Sequence, residues 1–221
     1  MNILLFLKDK IFVCEYNKVV INMIPLIGII TRKSKSISGK NILIAYEDII
    51  SAIIKSGGLP LIIPDNNIYP YLNICKGFIF QGGDNISSNS LKALKVLIKN
   101  DIPTLGICLG MQEMAILNKG ILYKVDNHKN DKLHEIIIKE NSLLYKILGV
   151  TKTIVNSRHK DAVLTTKLNI SAISKDNIIE AIEDSHLTFF LGLQWHPENM
   201  YDKDLNSKKI FDYFIKICND N

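Results

Sequence analysis

Apolar residues recur along this chain in two alternating rhythms. Short unbroken runs sit near residues 24–31, 59–63, 77–81 and 102–107 and read as buried strands. Between them lie segments with helical spacing. Ile42 to Lys55 interleaves isoleucines with Glu47, Asp48, Ser51 and Lys55. Ser90 to Lys99 sets Leu91, Leu94 and Leu97 on one face and Lys92, Lys95 and Lys99 largely on the other. Strand and helix in alternation predict an α/β fold with a central, mostly parallel sheet flanked by helices. After residue 117 the rhythm changes. Leu133 to Ile138, Thr153 to Asn156, Ala162 to Leu164, Ile170 to Ser174, Ile178 to Glu183 and Leu187 to Leu193 are closely spaced, strand-like runs, which predict extra antiparallel strands in the C-terminal half. Leu205 to Ile217 predicts a closing amphipathic helix.

Two short segments carry candidate chemistry. Gly106-Ile107-Cys108-Leu109-Gly110-Met111-Gln112 follows one strand-like run and opens into a helix-like one, Leu109 to Leu117. A cysteine between glycines at a strand-to-helix turn is a nucleophile elbow: the turn lifts the sulfur out of the sheet, and the helix N-terminus behind it favours the thiolate. Gln194-Trp195-His196-Pro197-Glu198 follows another apolar run. A thiol nucleophile needs a base and a group that orients the base. His196 stands where a strand ends, and Glu198 is close enough in sequence to fix its tautomer.

GICLGMQ followed by QWHPE resembles the class I glutamine amidotransferase superfamily, whose triad is Cys-His-Glu. Further segments resemble its gamma-glutamyl hydrolase-like branch (the gamma-glutamyl-gamma-aminobutyrate hydrolase-type peptidases): Pro25 to Arg32, Ser56 to Pro64, Phe80-Gln81-Gly82-Gly83-Asp84, His134-Glu135-Ile136 and Val155-Asn156-Ser157-Arg158-His159. The resemblance runs from about Met23 to Glu198. It implies Cys108, His196 and Glu198 as the catalytic set, and the amides of Gly83 and Leu109 as the oxyanion hole. Gly82, Gln112, Arg158, His159, Lys160 and Asp161 fall where it implies contact with the glutamyl group. Lys160 and Asp161 depart from the usual residues there. Only 25 residues (108 minus 83) separate Gly83 from Cys108, fewer than is typical of the branch, which predicts an open pocket and a large leaving group.

The implied activity is cysteine-dependent hydrolysis of a gamma-glutamyl amide through a thioester. The specific substrate expected is a gamma-glutamyl nucleoside-diphosphate amidate, of the gamma-glutamyl-CDP-amidate type used in making capsule phosphoramidate. The alternatives are a glutaminase subunit feeding ammonia to a separate synthetase, and a non-catalytic regulatory relative. The partners expected are a small-molecule substrate and either a synthetase or a second copy as homodimer. No cofactor and no metal is expected: His128, His134 and His186 lack ligand spacing in sequence and read as structural.

Composition narrows the setting. At 221 residues the chain suits one buried domain, and 47% hydrophobic with 22% charged residues is ordinary for a globular protein. Four scattered cysteines predict a reducing, cytoplasmic compartment and neither a disulfide framework nor a zinc site. The net charge of +5 comes without a basic cluster or an aromatic platform, which argues against nucleic acid, and no apolar run is long enough to span a membrane. Of 27 basic residues only Arg32 and Arg158 are arginine, which leaves 25 lysines and marks both arginines as candidates for carboxylate or phosphate recognition. Residues 1–22 read as an N-terminal extension, two short apolar runs around Lys8-Asp9-Lys10 that suit a hairpin; residues 23–221 read as the single catalytic domain.

Overall fold

A computed structural model describes residues 24–126, 128–129 and 131–221, and of the preceding stretch the backbone of three strands. These are β1 (Ile3–Leu7), β2 (Lys10–Glu15) and β3 (Lys18–Val19). They form an antiparallel sheet of their own, in which β1 and β2 make the expected hairpin.

The main chain continues with β4 (Leu26–Ile30), β5 (Arg32–Lys35), β6 (Asn41–Ile44), α1 (Glu47–Lys55) and β7 (Leu59–Ile63). Then come β8 (Gly77–Phe80), α2 (Ser88–Lys99), β9 (Thr104–Ile107), α3 (Leu109–Leu117) and β10 (Ile121–Lys124). The C-terminal half holds β11 (Lys132–Ile138), α4 (Leu143–Leu148), β12 (Lys152–Ser157), β13 (Asp161–Thr165), β14 (Asn169–Ser174), β15 (Ile179–Glu183), β16 (Phe190–Leu193) and α5 (Leu205–Asp220).

Strands β7-β4-β8-β9-β16 lie side by side and parallel. From β16 the same sheet continues antiparallel through β15, β14, β11 and β12, with β13 and β10 pairing off β15. The fold is therefore the class expected from sequence. Side chains alternate across the parallel strands as the pleat requires. Ile27, Ile29, Ile79, Leu105, Ile107, Leu191 and Leu193 enter one core, against α1, α4 and α5. Ile30, Phe78, Phe80 and Phe190 enter the other, against α2 and α3.

One expected element divides. The helical reading of Ile42 to Lys55 holds only from Glu47; Asn41–Ile44 is strand, paired antiparallel with Arg32–Lys35. The turn between them contains Gly39 at φ 77°, and the hairpin is largely exposed, so its apolar residues carried no burial period to separate it from the helix. The short helix α4 and strand β10 were not legible either: one is six residues and the other four.

In the parallel part the chain leaves β4 for β7 on one side and then returns to β8, β9 and β16 on the other. Such a reversal opens a crevice at the carboxyl ends of the strands. Arg32, the Gln81-Gly82-Gly83 turn, Cys108 and His196 all lie just beyond those ends.

Candidate active site

Cys108 occupies the turn between β9 and α3 with φ 52° and ψ −104°, a conformation unfavourable for a residue with a side chain. Its amide donates to Leu193 O at 2.7 Å, which ties the elbow to β16. Space for the turn depends on two glycines. A Cβ at Gly110 would lie 2.0 Å from Phe80 O, and one at Gly106 would lie 2.8 Å from the Gly110 carbonyl carbon. The sulfur accepts from Gln194 Nε2 at 3.7 Å.

His196 Nδ1 lies 2.7 Å from Glu198 Oε1, and Glu198 is almost fully buried. The backbone of His196 is fixed from both sides by Asn156, whose Oδ1 accepts the His196 amide at 2.8 Å and whose Nδ2 donates to the His196 carbonyl at 3.1 Å. Burial by itself would lower the pKa of His196. Interaction with the Cys108 sulfur and with Glu198 outweighs it and pushes the imidazole up to about 10. The ring packs on Gly82: a Cβ there would stand 2.9 Å from His196 Cε1 and 3.6 Å from Cys108 Cβ. Base and nucleophile are thus neighbours across one glycine.

Cys108, His196, Glu198, Gly83 and Arg158 share a cavity of about 330 Å³ with Tyr46, Asp48, Asp84 and Asn199. A second cavity of similar volume adjoins it, sharing Tyr46, Gly83 and Asp84 and extending to Lys33, Ser34 and Asp65. Gly83 and Leu109 lie together, since a Cβ on Gly83 would meet Leu109 Cδ2 at 3.1 Å. The Leu109 amide is in the first turn of α3, where intrahelical partners are missing.

Arg32 does recognise a carboxylate, but an internal one. It pairs with buried Glu113 of α3 at 2.8 and 2.9 Å, and it donates to Gln81 O and Gly82 O at 3.1 and 3.2 Å through Nε. Because N–H and C=O point oppositely across a trans peptide, holding the Gly82 carbonyl directs the Gly83 amide away from Arg32. Burial raises the Glu113 carboxyl, and Arg32 opposes that. Arg158 lines the cavity, but its Nε pairs with Asp131 at 2.9 Å and its Nη2 with Asn199.

The side chains of several residues expected to bind substrate do not line this cavity. Gln112 is buried, and its amide donates to Asp161 O at 2.8 Å and to Gln194 Oε1 at 3.2 Å. Lys160 is exposed and offers its carbonyl to Val125 N, and the Asp161 carboxylate pairs with Lys124 at 2.8 Å. The His159 ring turns inward to Glu180 of β15. There it joins His128 and His134, which corrects the reading of those two as lacking ligand partners: donor atoms of His128, His134 and Glu180 lie within 4.8 Å of one another. Glu180 lies 46 residues beyond His134 and 52 beyond His128 (180 minus 134 and 180 minus 128), so linear spacing could not disclose the cluster. Burial would raise the Glu180 carboxyl, but the imidazoles of His128, His134 and His159 that face it hold it well below the usual range. Tyr46, Asn156 and Gln194 were not singled out from sequence. Asn156 and Gln194 do sit inside quoted motifs, whereas Tyr46 lies in a stretch read only as helix.

Residues 88–198 match the peptidase C26 family. A Schizosaccharomyces pombe protein whose name places it among glutamine amidotransferases is 31% identical over 205 residues, 75% of this chain and 79% of its own. The gamma-glutamyl-gamma-aminobutyrate hydrolase PuuD of Escherichia coli K12 is 25% identical over 238 residues, 88% of this chain and 93% of its own. Among solved structures, the glutaminase domain of Trypanosoma brucei CTPS with bound acivicin superposes with a TM-score of 0.68 at 19% identity, covering 88% of this chain and 93% of that one.

Proposed function

The chain belongs to the peptidase C26 family, the gamma-glutamyl hydrolase-like branch of the class I glutamine amidotransferases and an amide hydrolase family; from that premise we propose that Cys108, His196 and Glu198 carry out hydrolysis of a gamma-glutamyl amide. The observation that carries the assignment is Cys108 at its strained elbow, sharing one cavity with the His196–Glu198 pair.

The reacting species is the Cys108 thiolate, with protonated His196 as its counter-ion. The sulfur attacks the gamma-carbonyl carbon and forms a C–S bond, and the carbonyl oxygen becomes an oxyanion. The amides of Gly83 and Leu109 receive it, and removing one such donor typically costs about 3 kcal/mol of transition-state stabilisation. His196 gives its proton to the amide nitrogen, the C–N bond breaks, and the amine leaves. Water then attacks the thioester while His196 takes a proton. The C–S bond breaks, glutamate departs and the thiolate returns. Glu198 keeps Nδ1 protonated throughout, so that Nε2 carries the moving proton.

The adjoining cavity supports a large polar leaving group. Charge in the catalytic cavity does not favour a diphosphate: Asp48 and Asp84 line it, and its Arg158 is already paired with Asp131. The nucleoside-diphosphate amidate is therefore one member of a substrate panel, beside glutamine and gamma-glutamyl amines. The expected result is fast glutamate release from one conjugate, slow release from glutamine, and neither in Cys108→Ala. Slow turnover of glutamine alone, accelerated by an added synthetase, would replace this reading with a glutaminase subunit, which the amidotransferase relative supports. Undiminished turnover in Cys108→Ala would refute both.

A further inference from the structure

Behind the cavity, three imidazoles converge on the one buried carboxylate of Glu180. His134 Nε2 lies 3.1 Å from Glu180 Oε1, His128 Nδ1 3.3 Å and His159 Nε2 3.8 Å. The outer hydrogen bonds fix where the protons are. His128 Nε2 stands 3.0 Å from the Asp176 carboxylate, which can only accept, so Nε2 carries the hydrogen. His159 Nδ1 stands 3.0 Å from the Asp161 carbonyl, so Nδ1 carries the hydrogen. In the neutral rings, His128 Nδ1 and His159 Nε2 are then bare lone pairs. Both are buried, and both lack a hydrogen-bond partner among the described residues, as does Glu180 Oε2. Lone pairs facing a carboxylate repel one another unless a positive charge sits between them.

The geometry points to a binding site for one divalent transition-metal ion, zinc foremost, held by His128 Nδ1, His134 Nε2 and Glu180, whose donor atoms lie within 4.8 Å of one another, with His159 Nε2, 3.8 Å from Glu180 Oε1, drawn in as the fourth ligand. A three-histidine, one-carboxylate set is four-coordinate and borderline in softness, as zinc prefers. Zinc–ligand bonds of about 2.0–2.1 Å in a tetrahedron put neighbouring donors roughly 3.3 Å apart. From Glu180 Oε1, His134 and His128 already stand at that span, 3.1 and 3.3 Å, and His159 at 3.8 Å needs a contraction of about half an ångström; the histidine nitrogens, which for His128 and His134 are held within 4.8 Å of one another, must also draw together on binding. The outer bonds to Asp176 and to the Asp161 carbonyl are the kind that orient metal-binding histidines. His134 moves its proton to Nδ1 on binding. It is also about one-fifth exposed, 21%, which gives the ion a way in.

The ion has a structural role. It joins the loop around His128 to β11, β15 and the 157–161 loop, whose Ser157 Oγ already donates to His128 O at 2.8 Å. Arg158 in that loop forms part of the cavity wall.

The test uses the full chain carrying Cys108→Ala, so that the nucleophile cannot bind metal, and stripped with a chelator. Titration with Co²⁺ is followed by its tetrahedral absorption bands, and Zn²⁺ by calorimetry and thermal unfolding. The expected result is one equivalent of Co²⁺ displaced by Zn²⁺, with a rise in Tm that tracks zinc concentration. His128→Ala and His159→Ala abolish the cobalt bands, and His186→Ala, outside the cluster, leaves them unchanged. Asp176→Asn, at a half-exposed outer position that tolerates change, weakens affinity by about 10–100-fold. It decides the matter if the histidine variants do not fold. Failure of the stripped protein to take up one equivalent, or uptake unaltered by Asp176→Asn, overturns the proposal. In that case two extra protons rather than a cation neutralise the cluster.

Discussion

At the scale of single residues, the site depends on how closely a few atoms approach. Gly82 carries no chemistry of its own, yet a Cβ there would press on His196 Cε1 at 2.9 Å. Gly82→Ala is expected to lower kcat/KM by about 100-fold, the usual consequence of moving a reacting group by an ångström. Its Tm should stay near that of the parent protein; a fully active variant would mean that the imidazole has room to spare. His196 gives a second prediction. Its pKa rises from an ordinary 6.5 to about 10 on folding. A group raised in the folded state stabilises fully below its unfolded pKa and loses that contribution as pH climbs through the folded value. The stability margin of the parent protein over His196→Gln should therefore be greatest near pH 6 and fall steadily towards pH 10, as read by chemical denaturation. A margin independent of pH would show that His196 is not held as an imidazolium. Cys108, His196 and Glu198 were legible in sequence because the elbow and the histidine turn are contiguous motifs. Gln112 and His159 turn their side chains away from the cavity for the opposite reason. Their motif positions are local, but which way each side chain turns is set by Asp161, Gln194 and Glu180, residues brought there by the sheet.

Among the elements, the β9–α3 junction and the turn after β8 support each other. Gly110 lies so close to Phe80 O that Gly110→Ala would have to push α3 away from β8, and a destabilisation of at least about 3 kcal/mol is expected from denaturant unfolding. Arg32 links the same two elements, clamping the Gln81 and Gly82 carbonyls and pairing with Glu113. Arg32→Met strands a buried carboxylate and should cost roughly 3–5 kcal/mol, and adding Glu113→Gln should recover much of the loss. If the double variant is no more stable than the single one, the carbonyl clamp rather than the ion pair holds the turn. The scarcity of arginine singled out Arg32, and the inference of carboxylate recognition was chemically sound. What the chain could not reveal was that the carboxylate lies 81 residues away on the elbow helix.

For the molecule as a whole, the inner parallel strands β4, β8, β9 and β16 were readable because each buries both faces and therefore appears as an unbroken apolar run. The antiparallel extension was readable as a change of spacing, but its strand order was not, since register depends on pairings across as many as 44 residues (165 minus 121), as between Ile121 and Thr165, or 38 between Ile136 and Ser174 (174 minus 136). The same limit concealed the histidine cluster on Glu180. Strands β1, β2 and β3 form a sheet separate from this one. The strands that deliver Gly83, Cys108 and His196 come later in the chain and pair only within the large sheet, and Arg32 opens β5, which pairs only with β6. A chain beginning at Met23 is therefore expected to keep the kcat/KM and the Tm of the full protein on whichever gamma-glutamyl amide proves to be the substrate. A fall in kcat/KM at unchanged Tm would make the N-terminal sheet part of the substrate site, and a fall in Tm would make it part of the fold.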